Sequence, residues 1–258
     1  MSSYPPRGGA KRWEWYFHRA VRAALLGFAK VWFRLSVEGR EHLPEGRPFI
    51  VSPIHRSNID FLLALVCSPR DARLRYMGKD TLWKSKGWGR LFTALGGFPV
   101  ARGTADREAL RTCVEVIERG ESLVMFPEGT RQTGPELSHM FDGPAFVQSR
   151  TGAPILPVGI GGSEAAMPKG AKFIKPRKIT VVIGKPLEPP VPDESGKVRR
   201  HAIREQTAAL GDEIQELFDE AQRQAGTPNR REVRSGDAAE SARRSSELEE
   251  PDRRSRAE

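Results

Sequence analysis

Between residues 11 and 35 the chain repeats apolar side chains at the spacing of a helix face. At about 100° per residue, Trp13, Phe17, Val21, Ala24, Phe28, Trp32 and Leu35 share one side, while Arg12, Arg19, Arg22, Lys30 and Arg34 cluster on the other. Gly39 and the segment His42-Leu-Pro-Glu-Gly46 then read as a turn. Beyond it, short apolar runs alternate with longer stretches of helical period. The runs Phe49 to Ser52, Leu74 to Met77, Phe98 to Val100, Ser122 to Phe126, Ile155 to Ile160 and Ile179 to Ile183 have the length and composition of buried strands. Between them, Ile59 to Cys67, Thr81 to Leu95, Asp106 to Arg119 and Gly143 to Arg150 predict helices, and a charged amphipathic helix follows from about Val198 to Gln224. Thr104 suits the N-cap ahead of Asp106, and Gly120 and Gly152 suit helix ends. This alternation predicts an α/β fold, a largely parallel or mixed sheet flanked by helices, preceded by an N-terminal amphipathic helix. No internal repeat is visible.

The 258 residues suffice for one domain with a substantial core and appendages. The pattern divides them into a polar leader (1–10), the amphipathic helix and its exit (11–38), the domain (39–225) and a tail (226–258). The tail has no aromatic residue and only Val233 and Leu248 as large aliphatics. So little apolar surface cannot offset the entropy of ordering, which predicts disorder there.

Charge changes the picture at one end only. Of the formal net charge of +9, +6 falls within residues 1–40, and residues 41–225 carry only +3. That favours a localised anionic partner over a body that coats nucleic acid. A basic face opposite Trp and Phe suits a helix lying on an anionic membrane surface, although ordinary packing against its own domain would produce the same periodicity. The longest uncharged run there, Ala23 to Ala29, is far short of the ~20 residues that span a bilayer, and no cleavage site follows it. The expectation is a peripheral protein with no transmembrane span and no secretory signal. Cys67 and Cys113 cannot make a disulfide framework, which points to a reducing compartment and thiols used as apolar fillers.

Three segments carry candidate chemistry. His55-Arg-Ser-Asn-Ile-Asp60 places a carboxylate five residues after a histidine at a strand end, where it can hold the imidazole so that the other ring nitrogen takes a proton. The same residues contain Ser57-Asn-Ile-Asp60, which fits a helix capping box. Phe126-Pro-Glu-Gly-Thr-Arg131 fits a type I turn with Pro127 second and Gly129 fourth, and it would bring Glu128 and Arg131 into the crevice beside His55. Gly96-Gly-Phe-Pro-Val-Ala-Arg102-Gly103 sets an arginine on a glycine-rich loop before a helix, a place that suits phosphate.

In this order, and followed by Pro154-Ile-Leu-Pro-Val-Gly-Ile160, these segments resemble the glycerolipid acyltransferase family, the 1-acylglycerol-3-phosphate acyltransferases of PlsC type, over roughly residues 40 to 190. The resemblance implies transfer of a fatty acyl group from acyl-CoA or acyl carrier protein to a lysophospholipid hydroxyl, most simply giving phosphatidic acid at the cytoplasmic face of a membrane. It implies no metal or other cofactor and no nucleic-acid partner. On the matching positions, His55 would be the general base and Asp60 its orienter. Arg102 and Arg131 would meet the acceptor phosphate. Glu128, Gly129 and Thr130 would shape the acceptor pocket, Pro157 would line the acyl or acceptor side, and Lys79 would stand near the phosphate. The chain departs from the family pattern at Ile54, usually Asn, at Val100-Ala101, at Gln132 and at Phe141-Asp142-Gly143. Those departures bear on the acceptor, and an acyltransferase of the same family acting on another lyso-lipid or a lipoamino acid is the alternative within the class. Outside it, a non-catalytic basic membrane-binding protein would share the charge but have no use for the His55–Asp60 pair.

Overall fold

Each apolar run predicted to be a strand lies in one sheet, which a short edge strand at residues 36–38 completes. The computed structural model describes residues 12–68, 74–79, 83–100, 106–194 and 196–229. The leader expected at 1–10 and most of the tail expected at 226–258 lie outside the described residues. The strands are β1 (Ser36–Glu38), β2 (Ile50–Pro53), β3 (Leu74–Lys79), β4 (Gly97–Val100), β5 (Ser122–Val124), β6 (Ile155–Gly161) and β7 (Thr180–Ile183). They stand in the order β1-β7-β6-β2-β5-β3-β4. All neighbours are parallel except β6 and β7, so the sheet is mixed but largely parallel. β2, β6 and β7 are buried at every position. Helices on the faces of a parallel sheet explain why these strands read as unbroken apolar runs rather than alternating ones.

The helices are α1 (Arg12–Trp32), α2 (Asp60–Leu63), α3 (Lys86–Ala94), α4 (Asp106–Glu118), α5 (Gly143–Thr151), α6 (Ser163–Ala166) and α7 (Arg200–Ala225). Three elements depart from the sequence reading. α1 stops at Trp32, and Arg34 takes a left-handed φ of 47°, which turns the chain into β1. The helix expected over 59–67 tightens after Leu63 into a 3-10 turn, Ala64–Cys67, whose side chains are all buried. α3 starts at Lys86, later than the expected Thr81, and residues 81–82 lie outside the described set.

α7 lies directly on β6, and two glycines allow it. A Cβ on Gly159 would stand 2.2 Å from the Leu217 backbone, and one on Gly161 would stand 2.1 Å from the Ala221 carbonyl. Cys67 and Cys113 are free and buried, and burial pushes each thiol up to about 12, so neither is a thiolate at neutral pH.

α1 both packs and projects. Ala29 and Phe33 are fully buried in the core, and Leu26 and Leu35 pack against it. Phe28 and Trp32 stack on each other at 5.8 Å between centroids and stay 44% and 42% exposed, and Val31 is 81% exposed. The stripe that docks is therefore rotated from the aromatic one. Among the described residues no helix is long and apolar enough to cross a membrane.

Candidate active site

The carboxyl end of β2 is the point where the sheet changes direction. From β2 the chain crosses to β3 and β4 on one side, inserts β5 beside β2, and then crosses to β6 on the other side. Open α/β sheets bind ligands in the crevice at such a switch point. The segment leaving β2 is tied down immediately: Ile54 N–H donates to Val158 O at 3.0 Å, and Gln132 N–H donates to His55 O at 2.9 Å. The turn after β5 is thereby fastened to the backbone of His55.

His55 Nδ1 lies 3.0 Å from Asp60 Oδ2. An ionised carboxylate only accepts, so Nδ1 carries the proton and donates it, which leaves the lone pair on Nε2. Oδ2 also accepts the backbone N–H groups of Arg56 at 2.7 Å and Ser57 at 2.6 Å. The Ser57 bond is one half of the capping box; the other half is not made, since Asp60 N–H donates to Ser57 O at 3.3 Å, while Ser57 Oγ accepts from Ile59 N–H at 3.4 Å and donates to Met167 O at 2.7 Å. One carboxylate thus shapes the turn and orients the ring. Asp60 is fully buried, and the His55 side chain is 19% exposed. The imidazole stacks on Phe126 with 4.0 Å between centroids and 27° between planes. Nε2 has no hydrogen-bond partner among the described residues.

Glu128 was expected to face the acceptor, and the structure turns it inward. It is 1% exposed, its Oε2 accepts the His55 backbone N–H at 2.9 Å, and its Oε1 pairs with Arg56 at 2.6 Å. Both oxygens are occupied inside the fold, so the carboxylate holds the main chain of His55. Arg56, which the sequence reading passed over, is the largest fully buried side chain among the described residues. Its Nε donates to Gly134 O at 3.2 Å and its Nη2 to Glu136 O at 2.8 Å, with the guanidinium 5.2 Å from the centroid of Phe218. Partial burial raises the pKa of Glu164, at the start of α6. An arginine beside the histidine and a glutamate 72 residues later were the available signal, but one sequence does not show that two distant charges meet.

The Phe126–Arg131 turn forms as predicted, with Gly129 N–H donating to Phe126 O at 3.1 Å. Gly129 has a φ of 66°, and a Cβ there would stand 3.0 Å from the Phe141 ring. Thr130 is exposed, and its Oγ1 accepts from the Gln132 amide at 3.1 Å. Arg131 is half-buried, one residue before the Gln132 that bonds to His55, and has no carboxylate partner among the described residues. Pro157, expected to line the acyl or acceptor side, is buried beneath α7: a Cβ on Gly184 would stand 2.9 Å from its Cγ and 2.7 Å from Leu217. Lys79 ends β3 at the sheet edge that carries His55. Arg102 lies outside the described residues.

A family model described as acyltransferase matches residues 34–161. A 1-acyl-sn-glycerol-3-phosphate acyltransferase of Bacillus subtilis (strain 168) is 25% identical over 183 residues, 71% of this chain and 87% of that protein. A chloroplastic 1-acyl-sn-glycerol-3-phosphate acyltransferase of Arabidopsis thaliana is 25% identical over 171 residues, 62% of this chain and 47% of that one. The chain thus spans about half the length of the chloroplastic relatives it matches. The crystal structure of the 1-acyl-sn-glycerophosphate acyltransferase PlsC of Thermotoga maritima superposes with a TM-score of 0.63 at 27% identity, covering 80% of this chain and 83% of that one.

Proposed function

Because residues 34–161 belong to the acyltransferase family, we propose that the chain transfers a fatty acyl group from a thioester, acyl-CoA or acyl carrier protein, to the free hydroxyl of 1-acylglycerol-3-phosphate, giving phosphatidic acid. The observation that carries this reading is the 3.0 Å contact between His55 Nδ1 and buried Asp60, with Nε2 left unpartnered among the described residues. The acceptor oxygen attacks the thioester carbonyl as its proton passes to Nε2. The tetrahedral intermediate then collapses, the carbon–sulfur bond breaks, and the leaving thiolate takes the proton back from the imidazolium. No acyl-enzyme is needed. The relatives named above support the phosphorylated acceptor, as does Arg131, which has no carboxylate partner among the described residues and stands beside the dyad. The acceptor is amphiphilic, which favours action at a lipid surface, and the exposed Phe28, Val31 and Trp32 of α1 suit that location.

The test is purified protein with palmitoyl-CoA and a panel of lyso-lipids, read by mass spectrometry. Acylation of 1-acylglycerol-3-phosphate ahead of the others is expected. Acylation of a different acceptor would reassign the substrate, and acylation of none would refute the reading. Within that assay, Arg131→Ala should raise the acceptor KM roughly ten- to a hundredfold, since a shielded charge-assisted contact is worth about 1.5–3 kcal/mol. Arg102→Ala should act in the same direction. A rise confined to the donor KM would assign these arginines to the coenzyme phosphates instead.

A further inference from the structure

The loop between α6 and β7 combines dense positive charge with apolar side chains left in the open. From Pro168 to Lys178 it carries Lys169, Lys172, Lys175, Arg177 and Lys178 and no acidic residue. Every residue from 172 to 178 is exposed, Phe173 by 82% and Ile174 by 37%. None of these cations forms an ion pair among the described residues. Folding gives no reason to hold a phenyl ring in water, and an exposed aromatic among unpaired cations marks a contact surface.

Its position is informative. β6 is parallel to β2 and antiparallel to β7, so the loop joining β6 to β7 leaves from the sheet edge that carries His55. Its root is tied to the dyad turn by Ser57 Oγ donating to Met167 O at 2.7 Å, and it is closed by Lys175 N–H donating to Ala166 O at 2.9 Å. Its far end meets the exit of α1, where Ile179 N–H donates to Phe33 O and Ser36 N–H donates to Ile179 O, both at 3.0 Å. The exposed Phe28, Val31 and Trp32 and the basic Lys30 and Arg34 therefore adjoin the loop.

We infer that residues 168–178 and the last turns of α1 form one docking surface for an anionic lipid bilayer, which sets the His55 crevice against the headgroup layer. The inference rests on the functional reading above, because a membrane-resident acceptor is what gives this orientation a use. The chemistry selects a bilayer: cations meet phosphate headgroups while Phe173, Ile174, Val31 and Trp32 enter the acyl boundary. A nucleic acid would use the cations but offers nothing to the aliphatic Val31 and Ile174.

Flotation of the full chain with phosphatidylcholine vesicles, with and without phosphatidylglycerol, tests this. Replacing Lys172, Lys175, Arg177 and Lys178 by Gln should lower partitioning to the anionic vesicles at least about tenfold and change binding to neutral ones little. Phe173→Ser with Ile174→Ser should lower partitioning to both. Both variants should keep the wild-type thermal melt and acylate a short-chain, water-soluble acceptor at the wild-type rate. Wild-type partitioning by both variants would overturn the inference, as would losses seen only in RNA binding. Lack of acylation of the soluble acceptor by the wild-type chain would instead count against the functional reading, and the vesicle measurements would still decide the surface.

Discussion

His55→Ala should lower turnover roughly 10²- to 10⁴-fold with the melting curve unchanged, because it removes the imidazole whose Nε2 is left open to take a proton at the end of β2. Asp60→Asn should come close to it. The asparagine carbonyl can still accept the Arg56 and Ser57 amides that shape the turn, but the charge that orients and stabilises the imidazolium is gone. Asp60→Ala would be a poorer probe, since it would strip both amides of their acceptor. The double variant should be little worse than either single one, as expected of residues that act as a unit. Single-turnover rates beside thermal melts check this. A His55→Ala protein within about tenfold of wild type would rule out general-base catalysis by that residue.

The second large effect is on stability. Arg56 and Glu128 are both fully buried and paired at 2.6 Å. Removing one partner strands the other charge, so Arg56→Met or Glu128→Gln should each lower the free energy of unfolding by about 3–5 kcal/mol in a urea titration. Arg56→Met combined with Glu128→Leu should regain much of that, because the stranded charge is gone. Turnover should not return with stability. The His55 amide and the carbonyls of Gly134 and Glu136 would still lack their anchor, and the Phe126–Arg131 turn would be free to drift from the dyad. Single variants within about 1 kcal/mol of wild type would show that the pair is not what holds the two motifs together.

The strands of the domain were legible because a sheet buried on both faces writes itself as apolar runs. β1 was not, since Ser36-Val-Glu38 offers one apolar residue and sits where Leu35 still continues the helical period. α6 escaped because four residues carry no period. In the site, His55 and Asp60 could be paired from sequence because their spacing fits the turn that joins them. Glu128 and Arg56 could not be given their roles, since an inward-facing charge and an outward-facing one are the same letter. α1 shows the limit of a helical wheel. The wheel found the aromatic stripe, but Ala29 and Phe33, which do the docking, lie outside it. Deleting residues 1–36 would therefore remove core as well as surface, and point substitutions at Phe28, Val31 and Trp32 probe the proposed membrane contact more cleanly.

The pairing of β1 with β7 has a consequence for the order in which the chain is made. Ser36 lies opposite Thr180, 144 residues further along, and β7 is the neighbour β1 has in the sheet. Closing so long a segment is slow compared with local helix formation. During synthesis α1 leaves the ribosome early and can coil at once, yet the backbone bonds between Phe33 and Ile179 wait until most of the chain has emerged. For that interval Phe33 and Ala29 are as exposed as Phe28 and Trp32, and the nascent helix is at its most apolar. An unfinished chain would therefore present a more apolar helix to any lipid surface than the finished one, and completion of the sheet withdraws Ala29 and Phe33 from it.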